Sequence, residues 1–324
     1  MVSGSRAADP VTETQFQPSA LGQLFDLWYQ VMPGDAPDQA RFRDLALLNP
    51  AFAPEGLIML WRGSRLIGFG LAIAERGHPG PGMSRQGWLV AMGVVPGEQG
   101  AGHGSRLLES CLRFLAASGC AVAELGGNGE RYLLPGCDPV AYPAFRRLVQ
   151  RRGFRPAGGT EAMECDLQTI RPAGVPARSH AYDYRHPADG DIPELLRVIS
   201  ELSQSWPVLV RGYLARTLKA DSLWVAYSFD RIVGFAGFDL FPGCPGRFGP
   251  MGVVPEVRGQ GVGARLLGLS LASMAQRGHR SAWFLWGPEG PAGPRMYASA
   301  GFRVNRRFEC FRRDLQALTT GRTH

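Results

Sequence analysis

One segment of this chain of 324 residues occurs twice, and the repeat constrains the fold more than any other feature. Met92-Gly93-Val94-Val95-Pro96, Gln99-Gly100-Ala101-Gly102-His103-Gly104 and Arg106-Leu107-Leu108 return as Met251-Gly252-Val253-Val254-Pro255, Arg258-Gly259-Gln260-Gly261-Val262-Gly263 and Arg265-Leu266-Leu267. The offset is 159 residues throughout, from Met92 to Met251 and from Leu108 to Leu267. One unit of strand, glycine-rich turn and helix has been duplicated with its register intact. The first turn of a helix carries backbone N–H groups without an intrahelical acceptor and the positive end of the macrodipole, so it stabilises an anion. Gly100, Gly102 and Gly104, like Gly259, Gly261 and Gly263, let the main chain approach a phosphate closely and take positive φ.

Two familiar phosphate-binding patterns do not match. A P-loop needs Lys then Ser or Thr after its last glycine, where this chain has Gly104-Ser105 and Gly263-Ala264 with no lysine before them. A dinucleotide fingerprint needs G-x-G-x-x-G, which neither copy has. What remains, V-x-P-x-x-Q/R-G-x-G-x-G followed by an Arg-Leu-Leu helix, resembles motif A of the GNAT acyltransferases.

Length suits two domains of about 150 residues, each able to bury a core. Hydrophobic residues make up 45% of the chain and no apolar run approaches a bilayer span. Residues 1–12 carry Arg6 but no apolar stretch, so no signal peptide is expected. The six cysteines form no C-x-x-C pair and read as reduced thiols, which with the rest gives a cytoplasmic expectation. The net charge of +7 is spread over short clusters such as Arg146-Arg147 and Arg312-Arg313. These read as solvated faces that also attract an anionic cofactor. No pattern of interleaved basic and aromatic residues points to nucleic acid, and no metal site is expected.

Periodicity predicts helices over 19–32 and 37–48, a hairpin of strands 57–61 and 66–74, and a motif strand 88–95. A motif helix 105–118, a strand 121–125 and a helix 140–152 ending at Gly153 follow. The second half repeats this order: helices 193–202 and 208–218, hairpin strands 223–229 and 232–240, motif strand 249–254, and motif helix 262–276. Strand 282–286, a short helix 293–299 and strand 306–315 complete it. Residues 1–11 are expected to be disordered, 12–167 to form the first domain, 168–181 a linker rich in Pro and Gly, 182–316 the second domain and 317–324 a tail.

The order of elements is also that of the GNAT fold, so the resemblance extends from about Thr12 to Leu315. It implies two GNAT domains of α/β, α+β type, each a mixed, largely antiparallel twisted sheet flanked by helices. It also implies acetyl-coenzyme A as cofactor. In that family the motif turn holds the pyrophosphate and the motif strand splays from its neighbour, freeing backbone groups for the pantetheine arm and the thioester oxygen. Carried onto this chain, those contacts fall on Met92, Gly93, Val94, Gln99, Gly100, Ala101, Gly102, His103, Gly104 and Ser105. In the second half they fall on Met251, Gly252, Val253, Arg258, Gly259, Gln260, Gly261, Val262, Gly263 and Ala264.

The family commonly places a tyrosine four residues before a Gly-Phe pair, as the acid that protonates the departing thiolate. Tyr297 stands there before Gly301-Phe302, and a phenol remains protonated at neutral pH. In the first half Val149 holds that position before Gly153-Phe154 and has no proton to give. A general base is less evident: Glu124 lies where the family often places a carboxylate, with Asp239 and Glu289 as other candidates and a water chain as the alternative. The loop from Gly126 to Asp138 has no counterpart in the second half and reads either as a rigid turn about Pro135-Gly136 or as the wall of a cleft. The expected activity is acetyl transfer to the primary amine of a small molecule or peptide by direct attack on the thioester, with the C-terminal half catalytic. The alternative is a coenzyme A sensor or scaffold without acyl transfer. Neither acceptor nor oligomeric state is legible.

Overall fold

The computed structural model describes residues 9–75, 84–125, 132–168, 181–287 and 292–315. Its contacts divide the chain into two units, 1–159 with 308–324, and 160–307. Compared with a division at the 168–181 linker, residues 160–167 go with the second unit and 308–316 with the first.

In the first unit β1 (Val11–Gln15), β2 (Leu57–Arg62), β3 (Arg65–Ala74) and β4 (Gln86–Val94) pair antiparallel in that order. β5 (Val122–Leu125) joins β4 in parallel, and residues 311–314 of the last strand pair antiparallel with β5. α1 (Leu21–Val31) covers one face through Trp28, whose ring centroid is 4.5 Å from that of Phe69. α3 (His103–Ala117) covers the other, burying Leu107, Leu108, Cys111, Leu112 and Leu115 at helical spacing.

The helix expected over 37–48 is a short α2 (Gln39–Phe42), capped by the Asp38 carboxylate on the Arg41 N–H, followed by a π-helical turn at Arg43–Leu47. The one expected from Val140 begins at Pro143 as α4 (Pro143–Arg151), because the residue preceding a proline is steered out of the helical region. Two strands were not anticipated in the first half. β1 is half-buried and reads Val-Thr-Glu-Thr-Gln, while β6 (Arg155–Asp166) opens on Arg-Pro-Ala-Gly-Gly, which looks like a turn. Of the segment 1–11 expected to be disordered, Asp9 and Pro10 are described, Val11 lies in β1, and residues 1–8 are outside the described residues.

In the second unit β7 (Asp183–Arg185), β8 (Leu223–Ser228), β9 (Arg231–Phe238) and β10 (Phe248–Val253) form an antiparallel sheet. α5 (Ile192–Leu202) and α6 (Trp206–Thr217) pack on the face carrying Phe235, and α7 (Val262–Gln276) on the face carrying Ala236. β11 (Ser281–Phe284) pairs with residues 163–166 of β6, and α8 (Ala292–Ser299) precedes the last strand, β12 (Arg303–Asp314). Both units have the largely antiparallel sheets flanked by helices that the resemblance implied, with parallel pairing between β4 and β5 in the first and at one isolated bridge, Arg247 to Trp283, in the second.

Candidate active site

Each motif strand parts from its parallel neighbour. β4 pairs with β5 only from Gln86 to Leu89, and beyond that point pairs with β3 alone. β10 touches β11 at a single bridge, Arg247 to Trp283, just before the strand begins. A bulge lies at the parting point in each copy. Ala91 pairs with Leu71 and Leu89 with Ala72, leaving Val90 as the extra residue, and the irregularity in β10 falls at Gly249, 159 residues on. An inserted residue bends a strand, and one edge from Met92 to Val94, and from Met251 to Val253, is left without a strand partner.

The two turns close alike. The Gln99 amide donates to Val94 O at 2.9 Å, and the Arg258 guanidinium donates to Val253 O at 3.1 Å, so these side chains hold the strand end against the turn. Gly100 and Gly102 have φ of +84° and +85°, Gly259 and Gly261 +80° and +82°, with nothing within 4 Å of where a Cβ would stand. The first helical bonds run from Arg106 N to Gly102 O and from Arg265 N to Gly261 O. The N–H groups of His103, Gly104 and Ser105, and of Val262, Gly263 and Ala264, therefore have no intrahelical acceptor. This cradle of donors, open around the two left-handed glycines of each turn, fits a pyrophosphate in both units.

The turns differ at their margins. In the first, Arg62 binds Glu98 through two bonds of 2.7 and 2.8 Å and holds its carboxyl below the usual range. His103 Nε2 lies 3.6 Å from the same carboxylate and makes no hydrogen bond. In the second, Gln260 accepts from the Tyr182 hydroxyl at 2.5 Å.

Tyr297 lies on α8, buried among Phe284, Phe302 and Phe248 at centroid distances of 4.7, 5.4 and 6.1 Å. Burial pushes its phenol up from the ordinary value, so the group keeps its proton. α8 borders the motif helix, with Met296 Sδ 3.5 Å from the Cβ position of Gly263. In the first unit Leu148 stands 3.4 Å from that of Gly104, and Val149 is fully buried.

Glu124 is half-buried on β5, beside Trp88 on β4 and Arg312 on β12. Burial raises its carboxyl, with the Arg312 charge and the Trp88 indole partly offsetting the rise. Asp239 is engaged elsewhere: its carboxylate accepts from Gly246 N at 2.8 Å and lies 2.7 Å from His279 Nε2. Glu289 and residues 126–131 lie outside the described residues.

The described part of the loop, 132–138, is tied down. Cys137 exchanges backbone bonds of 2.9 and 2.8 Å with Glu309, the Arg41 guanidinium donates to Tyr132 O at 2.5 Å, and Asp138 accepts from Val140 N and Ala141 N.

A duplicated unit with an opened motif strand and an anion cradle at the head of the next helix defines a class of acyl-transfer proteins. The chain belongs to the GNAT acetyltransferase family, with two GNAT domains in tandem, and is an N-acetyltransferase by class. Residues 21–129 match the Acetyltransferase (GNAT) family and residues 219–304 the Acetyltransferase (GNAT) domain. Among solved structures, a GCN5-related glucosamine N-acetyltransferase region of a fungal multi-domain GH3 beta-N-acetylglucosaminidase is similar at 17% identity and TM-score 0.77. That match covers 95% of this chain, which spans 38% of the fungal protein. A GCN5-related N-acetyltransferase from Sphaerobacter thermophilus matches at 16% identity and TM-score 0.68, over 95% of this chain and 97% of that one. A tandem GNAT protein from the clavulanic acid biosynthesis pathway matches at 16% identity and TM-score 0.65, over 94% and 99%. No curated protein matches in sequence. No helix among the described residues is long and apolar enough to cross a membrane.

Proposed function

We propose that the protein transfers an acetyl group from acetyl-coenzyme A to the primary amine of a small molecule or peptide by direct attack on the thioester. The observation that carries this reading is the pair of anion cradles, each beside an unpaired strand edge. The cofactor supplies an acyl group activated as a thioester. The N–H groups at the head of α3 or α7 hold its pyrophosphate, and the free edge of Met92–Val94 or Met251–Val253 aligns its arm and polarises the carbonyl oxygen.

In this reading the second unit is catalytic. Tyr297 gives its proton to the departing sulfur, and the first unit has only Val149 at that place. In the second unit, where Asp239 is held by Gly246 and His279, the attacking amine gives its proton to a chain of water, and Glu124 is the carboxylate that would accept it were the first unit the catalytic one. A panel of amines assayed for thiol release from acetyl-coenzyme A tests the reading. Saturable release with one amine class supports it, and cofactor binding without release by any amine leaves the sensor or scaffold role instead.

A further inference from the structure

The roots of the two clefts carry opposite chemistry. In the first unit Trp88 and Glu124 are direct partners across β4 and β5. The repeat offset converts Trp88 into Arg247 and Glu124 into Trp283, and these too are direct partners. Ring and charge have exchanged strands, and the charge has changed sign.

In the second unit the exchanged pair is packed shut. Arg247 is 2% exposed, with its guanidinium 3.6 Å above the Phe241 ring and 5.6 Å from that of Trp283. In the first unit the two groups face each other in a poorly aligned contact. Glu124 is half-buried, and among the described residues the Trp88 indole is the side-chain donor acting on its carboxylate; Arg312, its neighbour on the other side, stays exposed and out of salt-bridge reach. The Trp88 Nε1 is shut off from solvent and lies near the Glu124 carboxylate, but has no hydrogen-bond partner of ordinary geometry.

A partly desolvated carboxylate with one poorly aligned donor is costly, and a ligand that brings donors and positive charge recovers that cost. The indole face alongside favours a cation. One carboxylate beside one N–H offers too few ligands for a metal, and no metal-binding cluster occurs among the described residues. We propose that Trp88 and Glu124 form a binding site for a primary ammonium group in the first unit, and that Arg247 and Trp283 deny the equivalent position to a cation in the second. The site deepens the amine-acceptor reading, on which its biological ligand rests, and gives the first unit a part of its own beside the chemistry assigned to Tyr297.

The test uses the full-length protein without cofactor, titrated with butylamine, and with 1-butanol as the uncharged comparison, by ligand-observed NMR. Saturable binding of butylamine alone is expected. Glu124→Gln should weaken it about tenfold or more, the scale of a hydrogen bond to a charged group. Arg312→Gln, which removes a competing cation, should tighten it about two- to threefold. Glu55→Gln, an exposed carboxylate of the same unit, should change nothing. No saturable binding, or Glu124→Gln and Arg312→Gln shifting affinity together or not at all, overturns the site. Binding that behaves as expected while no amine releases thiol from acetyl-coenzyme A overturns the transfer reading and leaves the site standing.

Discussion

Gly102 and Gly261, 159 residues apart, open the two motif helices with the same left-handed backbone, φ +85° and +82°. Both positions have open space around them, so a substitution there acts through conformation and charge. Gly261→Ala should weaken coenzyme A binding to the second unit, because positive φ is strained for any residue with a Cβ, at about 1 kcal/mol or more. Gly261→Asp should weaken it further by placing a carboxylate at the phosphate. Calorimetric titration of both variants checks the order, and equal affinities for wild type and Gly261→Asp would remove the turn from the binding site.

Tyr297→Phe keeps the ring among Phe248, Phe284 and Phe302 and removes only the hydroxyl. If that hydroxyl protonates the leaving thiolate, kcat should fall about ten- to a thousandfold, within or just below the usual contribution of a general acid, with little change in cofactor affinity. Steady-state kinetics beside a thermal melt separate this from unfolding. An unchanged kcat transfers attention to the first unit.

Gly93 and Gly252 lie on the motif strands where helices come closest. A Cβ on Gly93 would stand 2.3 Å from Val31 Cγ2, and one on Gly252 would stand 2.7 Å from Leu202 Cδ1. Gly93→Ala should destabilise the protein by about 1–3 kcal/mol, the usual cost of overpacking. Adding Val31→Ala should recover part of that loss in denaturant unfolding, whereas additive losses would show that the contact is not the cause.

Glu124 gives a pH signature. Burial raises its carboxyl above the ordinary 4.5, so the folded protein binds this proton more tightly than the unfolded chain does. The group therefore costs nothing below the unfolded value, and its penalty grows as pH rises through the folded one, after which it is constant. Glu124→Gln should raise Tm at pH 7 relative to wild type, and the difference should shrink as pH falls towards 4. A Tm gain that is the same at both pH values would rule out ionisation as its source.

The repeat made the two turns legible residue by residue, since glycine at a helix start has a conformational reason to be there. Helices were legible where an apolar stripe was strong, and α7 runs over the expected 262–276. β1, β6 and β7 were missed because pairing with neighbours distant in sequence sets their backbone, and neither Val-Thr-Glu-Thr-Gln nor Asp-Tyr-Arg carries enough apolar alternation to announce it. The bulge at Val90 left no compositional trace, whereas Gly249-Pro250 inside a strand was a signal that went unread. The exchange of Trp88 and Glu124 for Arg247 and Trp283 could have been read from the offset alone, by comparing the copies where they differ.

The division of β6 and β12 between the units sets an order of assembly. β5 acquires its antiparallel neighbour from residues 311–314, so the first unit is closed by a strand that follows the whole of the second. During synthesis β5 must wait with an unpaired edge until some 185 further residues have left the ribosome, an interval in which a β-edge is open to wrong partners. A stop codon near residue 300 would thus damage the first unit as much as the second.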